Sequence, residues 1–267
     1  MYYKLRRLIL EKAFLSKTGH IGSNLSVCDI IWCLYDSVLN VEPEDFKPVK
    51  NNERNRFILS KGHASLAFYV VLFLKNFITK EDLDTYCDHN GTFLGVHPKN
   101  SVLGIEFSTG SLGQGITFAV GEALAAKIQN SNRKIYCLIS DGEINEGSCW
   151  EAFMFASHNK LDNLVILYDN NNLQALGKAE EVLLNSNIEE KMKSFGFSVL
   201  DIKNGHSHSE IKQVLTKIHT YNIKQPVFVN VKTILSKGIS FMENKLEWHY
   251  KSMNEEVYNL ALKEINL

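Results

Sequence analysis

Residues 135–172 read IYCLISDGEINEGSCWEAFMFASHNKLDNLVILYDNNN, and the order of apolar and polar residues in this stretch decides the fold. Residues 135–139 form a short apolar run that is typical of a buried strand, and the run ends in a Ser-Asp-Gly turn. A helical pattern follows over 148–160, and a second buried run covers 164–168. Buried strands that alternate with helices predict an α/β fold, with a parallel sheet and helices on both faces.

The same alternation extends over the rest of the chain, which carries no internal repeat and no linker rich in Pro, Gly or Ser. We expect further strands at 56–60, 197–202 and 227–234, and further helices at 2–17, 25–39, from 63 onward, 112–129 and 208–220. A length of 267 residues lies within what one hydrophobic core organises. The sequence therefore predicts a single domain over 1–267.

The composition excludes several classes of function. The net charge is −1 with the histidines neutral, so we expect no strong field for nucleic acid or for an anionic membrane. The longest apolar run, 64–74, is too short to span a bilayer, and the N-terminus lacks the apolar core of a secretory signal. Five cysteines without a Cys-x-x-Cys pair argue against a disulfide framework and favour a cytoplasmic protein.

Polar side chains follow the two strongest strands, and this placement points to a cation site. Asp141 comes directly after the first strand and Asn171 just after the next, so neighbouring strands would bring them to one edge of the sheet. A carboxylate, an amide oxygen and a backbone carbonyl such as that of Leu173 form a partial ligand set for Mg²⁺, and Ca²⁺ or Mn²⁺ stays open. Ordinary turn chemistry is the alternative interpretation of both motifs.

The spacing of strand, Asp-Gly, helix, strand and Asn-Asn resembles the signature of thiamine-diphosphate enzymes. Within that superfamily, GHIGSNLS at 19–26, LSKGHAS at 59–65, GVHP at 95–98 and TGSLGQG at 109–115 look, in this order, like the transketolase family. KGISFMEN at 237–244, followed by Trp248-His249, is similar to the N-terminal subunits of split transketolases. The resemblance covers about 5–250.

The resemblance implies a role for each matching residue. By this resemblance, Asp141, Asn171 and the Leu173 carbonyl bind the metal, and Gly142 allows the diphosphate to approach. His63 and His249 would contact the diphosphate side and the reacting centre, and His20 and His97 would contact hydroxyls of the donor sugar. The resemblance places further residues in the cofactor cleft or near the subunit interface: Gly110, Leu112, Gly113, Glu146 and Glu151.

The resemblance also implies a partner, because a full transketolase is about twice as long and includes pyrimidine-binding and C-terminal domains. We expect a separate C-terminal subunit in an α₂β₂ assembly, with thiamine diphosphate as cofactor. The reaction would move a two-carbon ketol unit from a ketose to an aldose, either of which can be phosphorylated. Ser140, Val96 and Tyr250 depart from the family pattern, and Val96 and Tyr250 would narrow the sugar channel.

Two other functions fit parts of the same pattern. The α subunit of a 2-oxo acid dehydrogenase shares the Asp-Gly to Asn-Asn spacing, although the motifs around His20, His63 and His97 argue against it. A non-catalytic partner or regulatory protein of this fold is the second alternative. Asp141, Asn171 and the motif histidines are all present, which argues against a protein that has lost catalytic activity.

Overall fold

Five parallel strands form the central sheet of the computed structural model, which describes residues 1–46, 53–88, 93–183, 186–220 and 223–265. The strands lie in the order β1-β2-β3-β7-β6. They are β1 (Arg56–Leu59), β2 (Ile135–Ser140), β3 (Leu164–Asn170), β6 (Ser198–Ile202) and β7 (Val227–Lys232). A two-stranded antiparallel hairpin, β4 (Leu173–Gln174) with β5 (Gly177–Lys178), follows β3. The carboxyl ends of the parallel strands therefore meet along one edge.

Helices connect the strands and cover the sheet. They are α1 (Tyr2–Ser16), α2 (Ile21–Cys33), α3 (Ser65–Leu74), α4 (Lys80–Asp84), α5 (Gln114–Ile128), α6 (Gly147–His158), α7 (Ala179–Val182), α8 (Ile188–Ser194), α9 (His208–Thr220) and α10 (Glu255–Ile265). Short 3₁₀ turns at Gly62–Ala64, Glu143–Asn145 and Leu246–His249 border the strand ends. None of the helices in the described ranges is long and apolar enough to cross a membrane.

Side chains of alternate strand residues fill two separate hydrophobic layers. Tyr136 and Leu138 of β2 belong to the layer with α1, α2, α3, α9 and α10. Ile135, Cys137 and Ile139 belong to the opposite layer, with α5, α6 and α8. Burial of both faces explains why these strands read as continuous apolar runs instead of alternating ones. The predicted α/β fold with helices on both faces is confirmed.

Several elements differ from the prediction, among them the short helices α4, α7 and α8 and the β4–β5 hairpin, which were not predicted. The helix expected over 25–39 begins already at Ile21 and passes into a π-helical turn at Leu34–Val38. The last helix, α10, was not predicted, and it packs Ala261 and Ile265 into the first core layer against α1. The five cysteines are free.

Candidate active site

Asp141 and Asn171 meet at the carboxyl edge of the sheet, because β2 and β3 are direct neighbours with Ser140 in register with Asp169. The backbone amide of Asn171 donates to Oδ2 of Asp141 at 3.0 Å, and the Tyr168 hydroxyl donates to Oδ1 at 2.6 Å. The carboxyl group is buried, and this burial raises the pKa of Asp141 to about 7 despite both hydrogen bonds. Its charged form therefore gains from a nearby cation.

The neighbouring oxygens fit a hard cation. Oδ1 of Asn171 accepts a hydrogen bond of 3.0 Å from the backbone amide of Leu173, so the amide oxygen and residue 173 lie side by side. The donor set consists of oxygens, which suits Mg²⁺, Ca²⁺ or Mn²⁺ better than a soft metal. In the described part of the chain no three His, Cys, Asp or Glu side chains cluster as a metal site, and this set relies on an amide and a carbonyl instead.

A buried ion pair lies behind Asn171, and sequence reasoning missed it. Nζ of Lys61 is 2.5 Å from Oδ2 of Asp169, which also accepts from Nδ2 of Asn171 at 3.1 Å. Oδ1 of Asp169 accepts from the hydroxyls of Ser26, at 2.7 Å, and of Thr233. Because Asp169 holds the amide nitrogen of Asn171, the amide oxygen points the other way, toward the backbone of Leu173. The position of Asp169 directly after a buried strand was the available signal.

Three histidines form a triangle above this edge. The ring centroids of His20 and His63 are 5.4 Å apart, those of His20 and His249 5.6 Å, and those of His63 and His249 5.7 Å. Asn24, also missed from the sequence, donates to the carbonyls of His20 at 2.8 Å and His63 at 3.5 Å. Nδ1 of His249 is buried and has no hydrogen-bond partner among the described residues. The sequence-predicted histidines 20, 63 and 249 thus share one site.

The environment keeps these rings neutral. Burial, followed by the charge of His97, lowers the pKa of His20, while burial and Lys61 lower the pKa of His63 well below its usual value. Burial and the neighbouring His20 lower the pKa of His249 to about 4. Neutral imidazoles at physiological pH can accept a proton from a hydroxyl group and return it.

The three histidines and Asn171 open into one cleft of about 200 Å³. Of the predicted site residues, seven line it: His20, His63, Leu112, Gly142, Asn171, Leu173 and His249. Residues that the prediction did not include also line it: Ser23, Lys61, Ser140, Gln174, Ala175, Leu176 and Tyr250. A Cβ added at Gly142 would meet only the Gln174 side chain, at 3.9 Å, so the backbone there is open to a ligand.

The remaining predicted residues do not line this cleft. Asp141 lies beneath Asn171, and the exposed His97 packs its ring against Gly110, where an added Cβ would be 3.0 Å from Cγ of His97. Gly113 packs against Glu146, whose Cβ would be 3.1 Å from a Cβ at position 113.

Glu146 and Glu151 are exposed, Glu146 just before α6 and Glu151 on it. Their roles at a subunit interface stay predictions.

Comparison with known proteins gives one family. The family model described as transketolase, thiamine diphosphate binding domain, matches residues 2–264. One subunit of an apulose-4-phosphate transketolase from Phocaeicola vulgatus is 39% identical over 263 residues, which cover 98% of this chain and 92% of that protein. A 6-deoxy-6-sulfo-D-fructose transketolase subunit from a Clostridium species is 37% identical, with coverage of 98% and 93%.

Solved structures agree in fold. The transketolase of Campylobacter jejuni superposes with a TM-score of 0.86 at 33% identity, over 100% of this chain and 42% of that one. The transketolase of Leishmania mexicana gives a TM-score of 0.89 at 26% identity, over 99% and 40%. The chain thus spans about two fifths of those transketolases, whereas it matches nearly the whole length of the two transketolase subunits.

Proposed function

This chain belongs to the transketolase family through its thiamine-diphosphate-binding domain, and from that premise we propose that it is the diphosphate-binding subunit of a two-subunit transketolase. The observation that carries the proposal is the cleft that the His20–His63–His249 triangle shares with Asn171, whose backbone amide donates to Asp141. The names of the relatives favour ketol transfer over oxidation of a 2-oxo acid.

We propose that Asp141, Asn171 and the Leu173 carbonyl hold a divalent cation that binds the diphosphate of the cofactor. The buried Asp141 carboxyl group, with its raised pKa, supports this role because a cation stabilises its ionised form. The open backbone at Gly142 leaves room for the diphosphate beside the cation. When bound, thiamine diphosphate supplies the electron sink for breaking the carbon–carbon bond.

The histidines bind and polarise the sugar in this proposal. Cleavage of the donor requires that a hydroxyl group lose a proton, and addition of the acceptor requires that a proton return. His20 and His249 suit this task, because both line the cleft and both are kept neutral by burial. The exposed His97 lies near enough to lower the pKa of His20, and it would contact the donor sugar at the mouth of the cleft.

We further propose that a separate C-terminal subunit completes the site in an α₂β₂ assembly in the cytoplasm. Relatives that match over nearly their whole length are named as one subunit of a transketolase, which implies a second subunit in those proteins. The exposed Leu176, at 82%, and Tyr250, at 61%, border the cleft, so its mouth is accessible to a partner and to a sugar.

The test is ketol transfer by this chain with and without the C-terminal transketolase subunit encoded in the same genome. Thiamine diphosphate and Mg²⁺ are supplied with a panel of donors that includes apulose 4-phosphate, 6-deoxy-6-sulfo-D-fructose, xylulose 5-phosphate and fructose 6-phosphate. We expect activity in the mixture only. Full activity of the isolated chain would refute the need for a partner, and an inactive mixture that binds the cofactor would refute ketol transfer from these donors.

A further inference from the structure

Glu143 is a completely buried acid that the proposed chemistry does not use. It begins the 3₁₀ turn Glu143–Asn145, directly after the Asp141-Gly142 turn, and its exposure is 0%. It is absent from the residues that line the cleft. Its Oε2 has no hydrogen-bond partner among the described residues, so the group is buried at a cost that packing alone does not explain.

The other carboxylate oxygen of Glu143 joins two separate segments. Oε1 accepts a hydrogen bond of 2.9 Å from the backbone amide of Gly113, and a short one from the hydroxyl of Ser60. Both segments continue into the cleft, because Leu112 precedes Gly113, Lys61 follows Ser60, and Leu112 and Lys61 are lining residues. One oxygen atom thus links the turn after β1 to the start of α5.

The start of α5 depends on this contact. Gly113 is the N-cap of α5 with φ +81°, and it has no side chain that could cap the helix. The Glu143 carboxylate, thirty residues later in the chain, lies at this helix N-terminus, where negative charge is favourable. A Cβ at Gly113 would be 2.2 Å from Oγ of Ser148, so the turn is also packed closely from its other side.

The third segment is the turn that carries the cation ligand. The backbone amide of Glu143 donates to Oγ of Ser140 at 3.3 Å, and Ser140 lines the cleft. Ser140 occupies a position where the family usually has Gly, and its hydroxyl has a structural use here. The Ser60–Glu143–Gly113 bridge therefore connects the turns after β1 and β2 with the wall that Leu112 forms.

We infer that Glu143 is a positioning residue that sets the width of the cofactor cleft by holding the Leu112–Gly113 turn and the Ser60–Lys61 turn at a fixed separation. The inference rests on the proposed function only in taking this cleft as the site of thiamine diphosphate. Glu143 acts through its neighbours and contacts neither cofactor nor substrate.

The test compares Glu143→Gln with Glu143→Met in the complex with the C-terminal subunit, with the dissociation constant of thiamine diphosphate and kcat as readouts. Gln keeps an oxygen acceptor for the Gly113 amide and the Ser60 hydroxyl, so we expect a constant within about threefold of the wild type. Met keeps the volume but removes the acceptor, so we expect the constant to rise about tenfold or more. If Glu143→Met does not fold, Ser60→Ala takes its place. It removes one of the two donors to Glu143, and we expect a smaller rise in the dissociation constant.

Ile144→Val is the matched control, since Ile144 is equally buried beside Glu143 but packs into the second core layer. We expect it to lower the melting temperature and to leave the cofactor constant unchanged. Wild-type affinity in both Glu143→Met and Ser60→Ala would overturn the inference, as would equal losses in Glu143→Gln and Glu143→Met. Because cofactor binding is read separately, absence of ketol transfer in the wild-type complex would refute the proposed function and leave this comparison valid.

Discussion

The backbone amide of His20 donates a hydrogen bond of 3.0 Å to the carbonyl oxygen of His249. The contact joins the start of α2 to the 3₁₀ turn near the other end of the chain. Gly19 passes directly over the next residue, since a Cβ at position 19 would lie 2.4 Å from the carbonyl oxygen of Tyr250. The histidine triangle therefore depends on a close approach of two backbones.

Gly19→Ala should disrupt this approach and separate His20 from His249. We expect a loss of at least tenfold in kcat/KM with a folded chain, because a Cβ at 2.4 Å forces the backbone to shift. The measurement is steady-state ketol transfer in the complex, with circular dichroism to verify folding. Gly121→Ala on α5 is the control, since nothing lies within 4 Å of its added Cβ. Equal activity of the two variants would contradict the prediction.

Stability should fall on acidification because His249 resists protonation. Its pKa is about 4 in the folded chain and close to 6.5 when unfolded, so between these values the unfolded state binds more protons. The stability that depends on a neutral His249 is fully present above pH 6.5 and is lost as the pH falls toward 4. The free energy of unfolding should fall by roughly 2 kcal/mol by pH 5.

Urea unfolding of wild type and His249→Gln at pH 7.5 and pH 5 tests this. The variant should lose less stability over the same pH interval. Carboxyl groups with raised pKa values, such as Asp141, titrate in both proteins and cancel in the comparison. Parallel losses in the two proteins would show that His249 titrates normally.

Cation binding should strengthen as the pH rises through 7. In the proposed site the ionised form of Asp141 would bind the cation, and burial raises the pKa of Asp141 to about 7, so protons would compete below that value. We expect the apparent affinity for Mg²⁺ to fall by nearly tenfold per pH unit below 7. Restoring Mg²⁺ to the EDTA-treated complex between pH 6 and 8, with cofactor-dependent activity as readout, measures it.

Asp141→Asn should abolish the response to Mg²⁺, while the control Asp162→Asn, which breaks a partly exposed ion pair with Lys127, should retain it. A pH-independent affinity in the wild type would argue that Asp141 does not bind the cation.

Asp29 should be a major source of stability. It accepts hydrogen bonds from Arg6 at 2.6 Å, His206 at 3.1 Å and His208 at 2.8 Å. These contacts connect α1, α2 and the start of α9. Burial alone would raise the pKa of Asp29, but these hydrogen bonds hold it well below its usual range. Asp29→Asn leaves the Arg6 guanidinium buried without its counter-ion, and we expect a loss of about 3–5 kcal/mol.

Urea denaturation followed by far-UV circular dichroism measures this loss. The matched variant is Asp36→Asn, which breaks a half-exposed ion pair with Lys212 and should cost less than about 1 kcal/mol. Similar midpoints for the two variants would contradict the assignment.

Tyr250 should restrict which donors enter. Its ring lies 5.0 Å from that of His20, edge to face, and 61% of the residue is exposed at the cleft mouth. Tyr250→Gly should raise kcat/KM for longer or branched donors relative to short ones, by about tenfold. Tyr250→Phe separates the hydroxyl from the ring, and an unchanged donor ranking in both variants would exclude the role.

Local rules alone predicted that Asp141 and Asn171 lie together at one edge of the sheet. Asp141 directly follows one strand and Asn171 directly follows the next, so the two residues meet if the strands are neighbours, and the pairing of β2 with β3 confirms this. The histidines are different, because no periodicity connects residues 20, 63 and 249. They were placed by resemblance to a family, and the structure brings them together.

The contacts that sequence reasoning missed join residues far apart in the chain. Lys61 and Asp169 are 108 positions apart, and Glu143 and Ser60 are 83 apart. From their neighbours in the sequence, both Glu143 and Lys61 are expected to be exposed. Their burial arises because several strands end at the same edge, and this convergence is a property of the folded sheet that no short window of sequence contains.

The strand order has a consequence for synthesis on the ribosome. β7 lies between β3 and β6, although both of those strands precede it in the chain. Until residues 227–232 have emerged, β3 is paired only with β2, so its other edge is open, and β6 has no partner strand in this sheet. The nascent chain therefore carries an open edge on β3 after residue 170, and a second on β6 after residue 202, until β7 is complete at residue 232. A chaperone or the partner subunit would protect the chain most during this interval.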